Sequence, residues 1–176
     1  MESTVTQVIK STYDLMHCKR VVLVGKAASG KDHCRKLLED QGFTYQISYT
    51  TRPPRTGEVN GKDYYFVTEE EFMWMVREDE FYEWVPFNGW YYGTARKQME
   101  SEKSVFIMTP SGLSHMSKED RTDSFVVYFN MPIEIRRQRL ALRSDADTVD
   151  RRIEADERDF SQFTNFDYMV TDPNFS

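Results

Sequence analysis

Little in this chain can cross-link it, carry it into a membrane or bind it to nucleic acid. Only two of its 176 residues are cysteines, Cys18 and Cys34, and their spacing matches neither a disulfide framework nor a metal motif. We read both as free thiols in a reducing compartment. No apolar run approaches about 18 residues, and the N-terminal residues carry no charged-then-apolar leader with a small-residue cleavage site. A soluble, cytoplasmic protein with no membrane contact is the expectation. Positive charge is in deficit as well, 23 basic against 29 acidic residues for a net −6, so there is no general electrostatic footprint for nucleic acid. Glycine and proline are sparse, at 8 and 6, without a flexible linker, repeat or low-complexity tract. One domain, or a core with an inserted lobe, fits this length.

The positive charge that is present is concentrated. Arginines group at Arg52 and Arg55, at Arg136, Arg137, Arg139 and Arg143, and at Arg151 and Arg152, while acids gather between residues 69 and 83. Solvated helix faces with i,i+4 pairing account for many such groups, and Arg136, Arg137 and Arg151 are read that way. A sharper signal is Gly25-Lys26-Ala27-Ala28-Ser29-Gly30-Lys31-Asp32-His33. It follows an apolar run at residues 21–24 and precedes helix-compatible sequence to Gln41, the strand–turn–helix context a phosphate loop requires. Gly25 and Gly30 permit a turn without Cβ clashes, so backbone N–H groups and a helix N-terminus can point at phosphate oxygens. Lys31 adds a cation within reach of a β- or γ-phosphate. Position 32 is Asp where a hydroxyl usually ligates Mg²⁺; a carboxylate suits a hard cation, which makes Asp32 the candidate metal ligand.

Spacing predicts an N-terminal helix within residues 1–18, a strand at 20–24, a helix at 31–41 and a strand at 43–49. From residue 48 the pattern changes. Thr51-Arg52-Pro53-Pro54-Arg55 cannot be regular helix, Asn60-Gly61 reads as a hairpin turn with flanking strands, Thr68 and Glu71 form a capping box, and Asn88-Gly89 centres a second hairpin over residues 81–92. Residues 48–94 therefore read as a small, mostly β lobe inserted between core segments 19–47 and 95–176. The core resumes with a helix at 95–102, strands at 105–108 and 125–129, a helix to about Leu142, a polar break at 144–148, a charged helix from Val149 and a last strand at 168–170. Strands alternating with helices imply an α/β fold, three layers around a parallel sheet.

Two long blocks, TTRPPRTGEVNGKDYYFV and EFYEWVPFNGWYYGT, behind this loop resemble the guanylate kinase family, from about Val21 to Asp172. The resemblance implies a P-loop kinase that moves the γ-phosphate of ATP, with Mg²⁺, onto GMP or dGMP, as a monomer or homodimer. It implies that Arg52, Arg55, Tyr64 and Tyr92 hold the acceptor phosphate, where guanidinium forks and phenol hydroxyls suit the anion. Ser48, Glu83 and Thr94 would read guanine. A carboxylate at Glu83 can accept from N1–H and the exocyclic amine together, a donor pair adenine lacks. Arg143 and Arg152 match the arginines of a lid at residues 143–152 that closes on the transferring phosphoryl, and Arg139 matches a further basic position.

The match departs from the family pattern in places. A D-x-D-x-Q-G run at a strand end here reads Ile107-Met108-Thr109-Pro110-Ser111-Gly112, without either acid, and we expect Asp32 to relocate the missing carboxylate. The lid is about two residues short. The chain stops where the family usually adds a helix, and the N-terminal segment is expected to cover that surface. Two rival readings stay open: a kinase for another or modified deoxynucleoside monophosphate, and a guanylate-kinase-like binding module without catalysis.

Overall fold

The computed structural model describes residues 4–143 and 148–176. Along the chain come α1 (Val5–Met16), β1 (Arg20–Gly25), α2 (Lys31–Asp40), β2 (Thr44–Tyr45), β3 (Tyr49–Thr50), β4 (Tyr65–Phe66), α3 (Glu69–Arg77), β5 (Phe81–Phe87) and β6 (Trp90–Ala95). A 3₁₀ turn (Arg96–Glu100), β7 (Ser104–Ile107), α4 (Pro110–Ser114), α5 (Lys118–Thr122), β8 (Ser124–Phe129), α6 (Ile133–Ala141), α7 (Val149–Phe160) and β9 (Tyr168–Val170) complete it.

All six residues of β1 and all six of β8 are buried. Strands hidden on both faces need parallel neighbours covered by helices, and the core sheet is parallel throughout, in the order β2-β7-β1-β8-β9. Alternation along β1 sends Val21 and Leu23 to one face and Val22 and Val24 to the other. The first face packs on Ile9 and Tyr13 of α1 and Leu38 of α2, the second on Leu113 of α4 and Phe160 of α7. Three layers result, as the sequence predicts. The N-terminal helix opens with a Thr4–Gln7 capping box and joins the chain's other end through Thr6 N–H donating to the Ser176 carbonyl at 3.2 Å. No helix among the described residues is long and apolar enough to cross a membrane.

The second sheet is mixed, in the order β4-β3-β6-β5, with α3 laid on it through Phe72 and Met75 against Phe81. Phe72 is fully buried; truncating such a ring to Ala costs about 3–5 kcal/mol. The Thr68–Glu71 capping box forms as expected. Asn88 and Gly89 both take positive φ, 52° and 87°, the requirement of a type I′ hairpin between β5 and β6.

Some expectations need correction. The strand expected at 43–49 is two short ones, β2 in the core sheet and β3 in the lobe, because the chain crosses between sheets at residues 46–48. Asn60-Gly61 is not a two-residue hairpin: β3 and β4 run parallel, and Asn60 instead turns its side-chain oxygen to the Phe66 N–H at 2.9 Å. The helix expected at 95–102 is only the 3₁₀ turn, and α4 and α5 fill the segment before β8 where no helix is expected. Both cysteines are free and buried, and burial pushes the Cys34 thiol up to about 12, which makes it unreactive.

Candidate active site

The loop after β1 is held open by its own backbone. Ala28 and Gly30 take φ of 61° and 100°, and a Cβ on Gly25 would stand 2.9 Å from the Phe129 carbonyl oxygen, so only glycine fits beside β8. The Ser29 hydroxyl is buried with no hydrogen-bond partner among the described residues, an orphan that a phosphate oxygen can satisfy. Lys31 folds back over the loop, donating to the Gly25 carbonyl and to the Lys26 carbonyl at 3.1 Å. Burial pulls its ammonium down to about 8, reinforced by Arg143, Arg152 and Arg136 and opposed by Asp156.

The charged residues around this loop are already organised. Ala27 N–H donates to Asp156 at 2.9 Å, and Asp156 pairs with Arg136 at 3.4 Å, both side chains almost fully buried at 3% and 2% exposed. Arg136 is thus not the solvated residue the sequence predicts. It sits between α6 and α7, where burial requires a partner; Arg137 does lie outside, paired with Asp150 at 2.8 Å, and Arg151 is exposed. Arg139 donates to the Ala28 carbonyl at 3.0 Å and to the Pro173 carbonyl at 2.9 Å, stapling the C-terminal segment to the loop. Phe175 packs near His33, ring centroids 5.4 Å apart. Lys26 pairs with Glu157 at 2.7 Å.

Asp32 lines the same cleft, but its carboxylate is engaged by Arg35 at 2.5 Å and Lys36 at 3.3 Å. Burial works to raise its pKa; the two cations outweigh that and hold it below the ordinary carboxylate range. Among the described residues no group of three or more His, Cys, Asp or Glu is arranged to hold a metal. Mg²⁺ seldom uses a full protein cage, taking one or two carboxylates and otherwise water and phosphate, so a single acid at this position fits the ion only together with a nucleotide.

The lobe supplies the opposite wall. Glu58 grips Arg52 with both oxygens at 3.0 Å and accepts from the Arg55 N–H at 2.8 Å. Arg52 is 2% exposed and its guanidinium lies 5.2 Å over the Tyr64 ring. Burial and the neighbouring Tyr92 push the Tyr64 phenol up, so it faces the cleft as a neutral donor. Glu83 and Thr94 are both buried, and the Thr94 hydroxyl donates to Glu83 at 2.7 Å. Burial raises the Glu83 carboxyl, with the Thr94 bond partly offsetting it. Thr109, where the resemblance implies an acid, caps α4 instead by accepting from Gly112 N–H at 3.0 Å.

These walls face one another across a single cleft of about 840 Å³ that reaches from Ala27 and Lys31 to Arg52, Arg55, Tyr64 and Tyr92 and includes Arg139, Arg143 and Arg152. A smaller recess of about 110 Å³ adjoins it, lined by Ser48, Glu83, Tyr92, Thr109 and Arg152. Of the lid expected at 143–152, residues 144–147 lie outside the described residues.

Residues 17–176 match the family model described as guanylate kinase. The chain belongs to the guanylate kinase family. The guanylate kinase of Bacillus anthracis is 33% identical over 160 residues, 85% of this chain and 78% of that protein. That of Onion yellows phytoplasma is 35% identical over 162 residues, 85% of this chain and 76% of its own. A crystal structure of guanylate kinase from Anaplasma phagocytophilum shares 24% identity, with a TM-score of 0.66 over 88% of this chain and 77% of that one; this likeness bears on the fold.

For this guanylate kinase family chain, sequence reasoning misses Glu58, Arg136, Asp156, Pro173 and Phe175. Glu58 leaves a trace, three residues after Arg55 and six after Arg52. Asp156 and Arg136 leave none, since a buried pair on two charged helices reads like any exposed one.

Proposed function

We propose that this chain transfers the γ-phosphate of ATP to GMP or dGMP, giving ADP and GDP or dGDP. The reading rests above all on one observation: a phosphate loop and a pair of arginines with two tyrosines face each other across one cleft, with a buried carboxylate in the recess beside them. The loop amides and Lys31 would hold the donor phosphates. Arg52, Arg55, Tyr64 and Tyr92 would hold the acceptor phosphate, and Ser48, Glu83 and Thr94 its base, with Glu83 accepting from N1–H and the amine of guanine.

In the transfer, an acceptor phosphate oxygen forms a bond to the γ-phosphorus as the bond to the β–γ bridging oxygen breaks. The protein need supply no nucleophile. Arg143 and Arg152, which line the cleft, would neutralise charge on the transferring group, and lid closure would exclude water. Asp32 is the residue that would hold Mg²⁺, which when bound with ATP neutralises charge on the phosphate oxygens.

The test is a coupled ADP-release assay with GMP, dGMP, dTMP, dCMP and AMP. Turnover with GMP or dGMP and little with the others supports the reading. Preference for a pyrimidine monophosphate would replace the acceptor assignment, and failure to bind ATP with Mg²⁺ would favour a binding module.

A further inference from the structure

One carboxylate in the recess beside the cleft is given no task by that reading. Asp159 lies on α7 and lines the recess that also contains Glu83, Ser48 and Thr109. It is partly exposed, yet its Oδ2 is enclosed and finds no hydrogen-bond partner among the described residues. A buried acceptor of this kind needs an explanation, and an incoming donor is the simplest one for an oxygen on a cavity wall. Burial and the nearby charge of Asp156 push its carboxyl up to about 6, so at pH 8 it is an anion that can only accept.

The neighbours narrow what that donor is. Guanine presents three hydrogens on one edge, one on N1 and two on the exocyclic amine. Glu83 offers two oxygens, and its Oε1 already accepts from Thr94 at 2.7 Å. A single carboxylate facing that edge meets N1–H and the nearer amine hydrogen and leaves the outer one unpaired. The Thr109 hydroxyl accepts from Gly112 N–H at the cap of α4, Ile107 and Met108 are apolar, and Asp156 receives both Ala27 N–H and Arg136 on its Oδ2. Asp159 is the acid left in the recess. We propose that Asp159 is a specificity-determining residue that accepts the outer amino hydrogen of the acceptor purine. The assignment rests on the guanine-nucleotide reading above.

The experiment measures dissociation constants and kcat/KM at pH 8 for GMP, dGMP and IMP, which lacks the amine, with the parent chain and with Asp159→Ala and Asp159→Asn. Losing a charged acceptor from a desolvated bond is expected to weaken GMP and dGMP about tenfold or more in Asp159→Ala. The weakening is smaller in Asp159→Asn, which keeps one acceptor oxygen. IMP should change less than about twofold, and the KM for ATP should not move. Equal weakening of all three acceptors would reduce Asp159 to a matter of shape and overturn the inference. Weakening of GMP and IMP but not dGMP would overturn it too, moving the contact to the ribose 2′-hydroxyl. If the parent chain binds neither GMP nor IMP, the guanine reading itself fails, a result visible before any variant is made.

Discussion

The two ends of the cleft are built on different principles. The end proposed to hold the donor is mostly backbone: a turn with Ala28 and Gly30 at positive φ, amides ahead of α2, and one lysine bent back onto loop carbonyls. The end proposed to hold the acceptor is mostly side chains, already paired with one another. Arg52 is locked to Glu58, and Glu83 to Thr94. A backbone cradle is rigid once the turn folds, and its N–H groups do not depend on which side chains the loop carries. Paired side chains can select, but each must be held in place by a neighbour, and their mutual bonds compete with the ligand's. We therefore expect substitutions at the donor end to act mainly on catalysis and those at the acceptor end mainly on substrate choice.

The sharpest way to break that comparison is Lys31→Met. It should lower kcat/KM about a thousandfold or more, since a positioned cation on transferring phosphates commonly contributes that much, with the acceptor dissociation constant nearly unchanged. Glu83→Gln comes next. It places an amide hydrogen against guanine N1–H and should raise the GMP dissociation constant about thirty- to a hundredfold while leaving that for ATP alone; a similar rise for both nucleotides would erase the distinction between the ends.

The buried pair separates folding from function. Asp156→Leu alone leaves Arg136 charged and unpaired and should destabilise by about 3–5 kcal/mol, whereas Arg136→Leu with Asp156→Leu should recover most of that, as read by denaturant unfolding. The double variant still lacks the carboxylate that accepts from Ala27 N–H.

A subtler effect is the pH profile. Lys31 titrates near 8 in the fold against an ordinary 10.5, so the unfolded chain holds that proton more tightly. Rising pH between those values therefore favours folding as far as Lys31 is concerned. On the proposed reading, phosphate binding needs the ammonium and runs the opposite way. kcat/KM for ATP should fall as pH rises through about 8, and a profile flat to pH 10 would show that Lys31 does not titrate as its burial implies.

The sequence makes the layers and the donor loop legible because both depend on local signals: apolar runs such as residues 21–24, glycine at fixed spacing, and capping residues such as Thr68 with Glu71. Asn88-Gly89 is read correctly as a hairpin, while Asn60-Gly61 is not, because the latter's partners are decided by where β4 lies beside β3. Arg52, Arg55, Tyr64 and Glu83, which line the cleft and its recess, are picked out in the sequence only through the length of the blocks that contain them. What stays hidden are pairings across distant segments. Arg136 with Asp156 spans twenty positions, Arg139 reaches the Pro173 carbonyl, and Asp159 on α7 lines the same recess as Glu83 on β5.

The central claim is that the two ends hold two nucleotides at once, phosphate to phosphate. Its most direct test is a calorimetric titration with an adenosine–guanosine bisubstrate joined through a phosphate chain. One molecule should bind per protein chain, more tightly than ATP or GMP alone, and displace both. Displacement of only one of the two, or binding no tighter than either, would contradict the account.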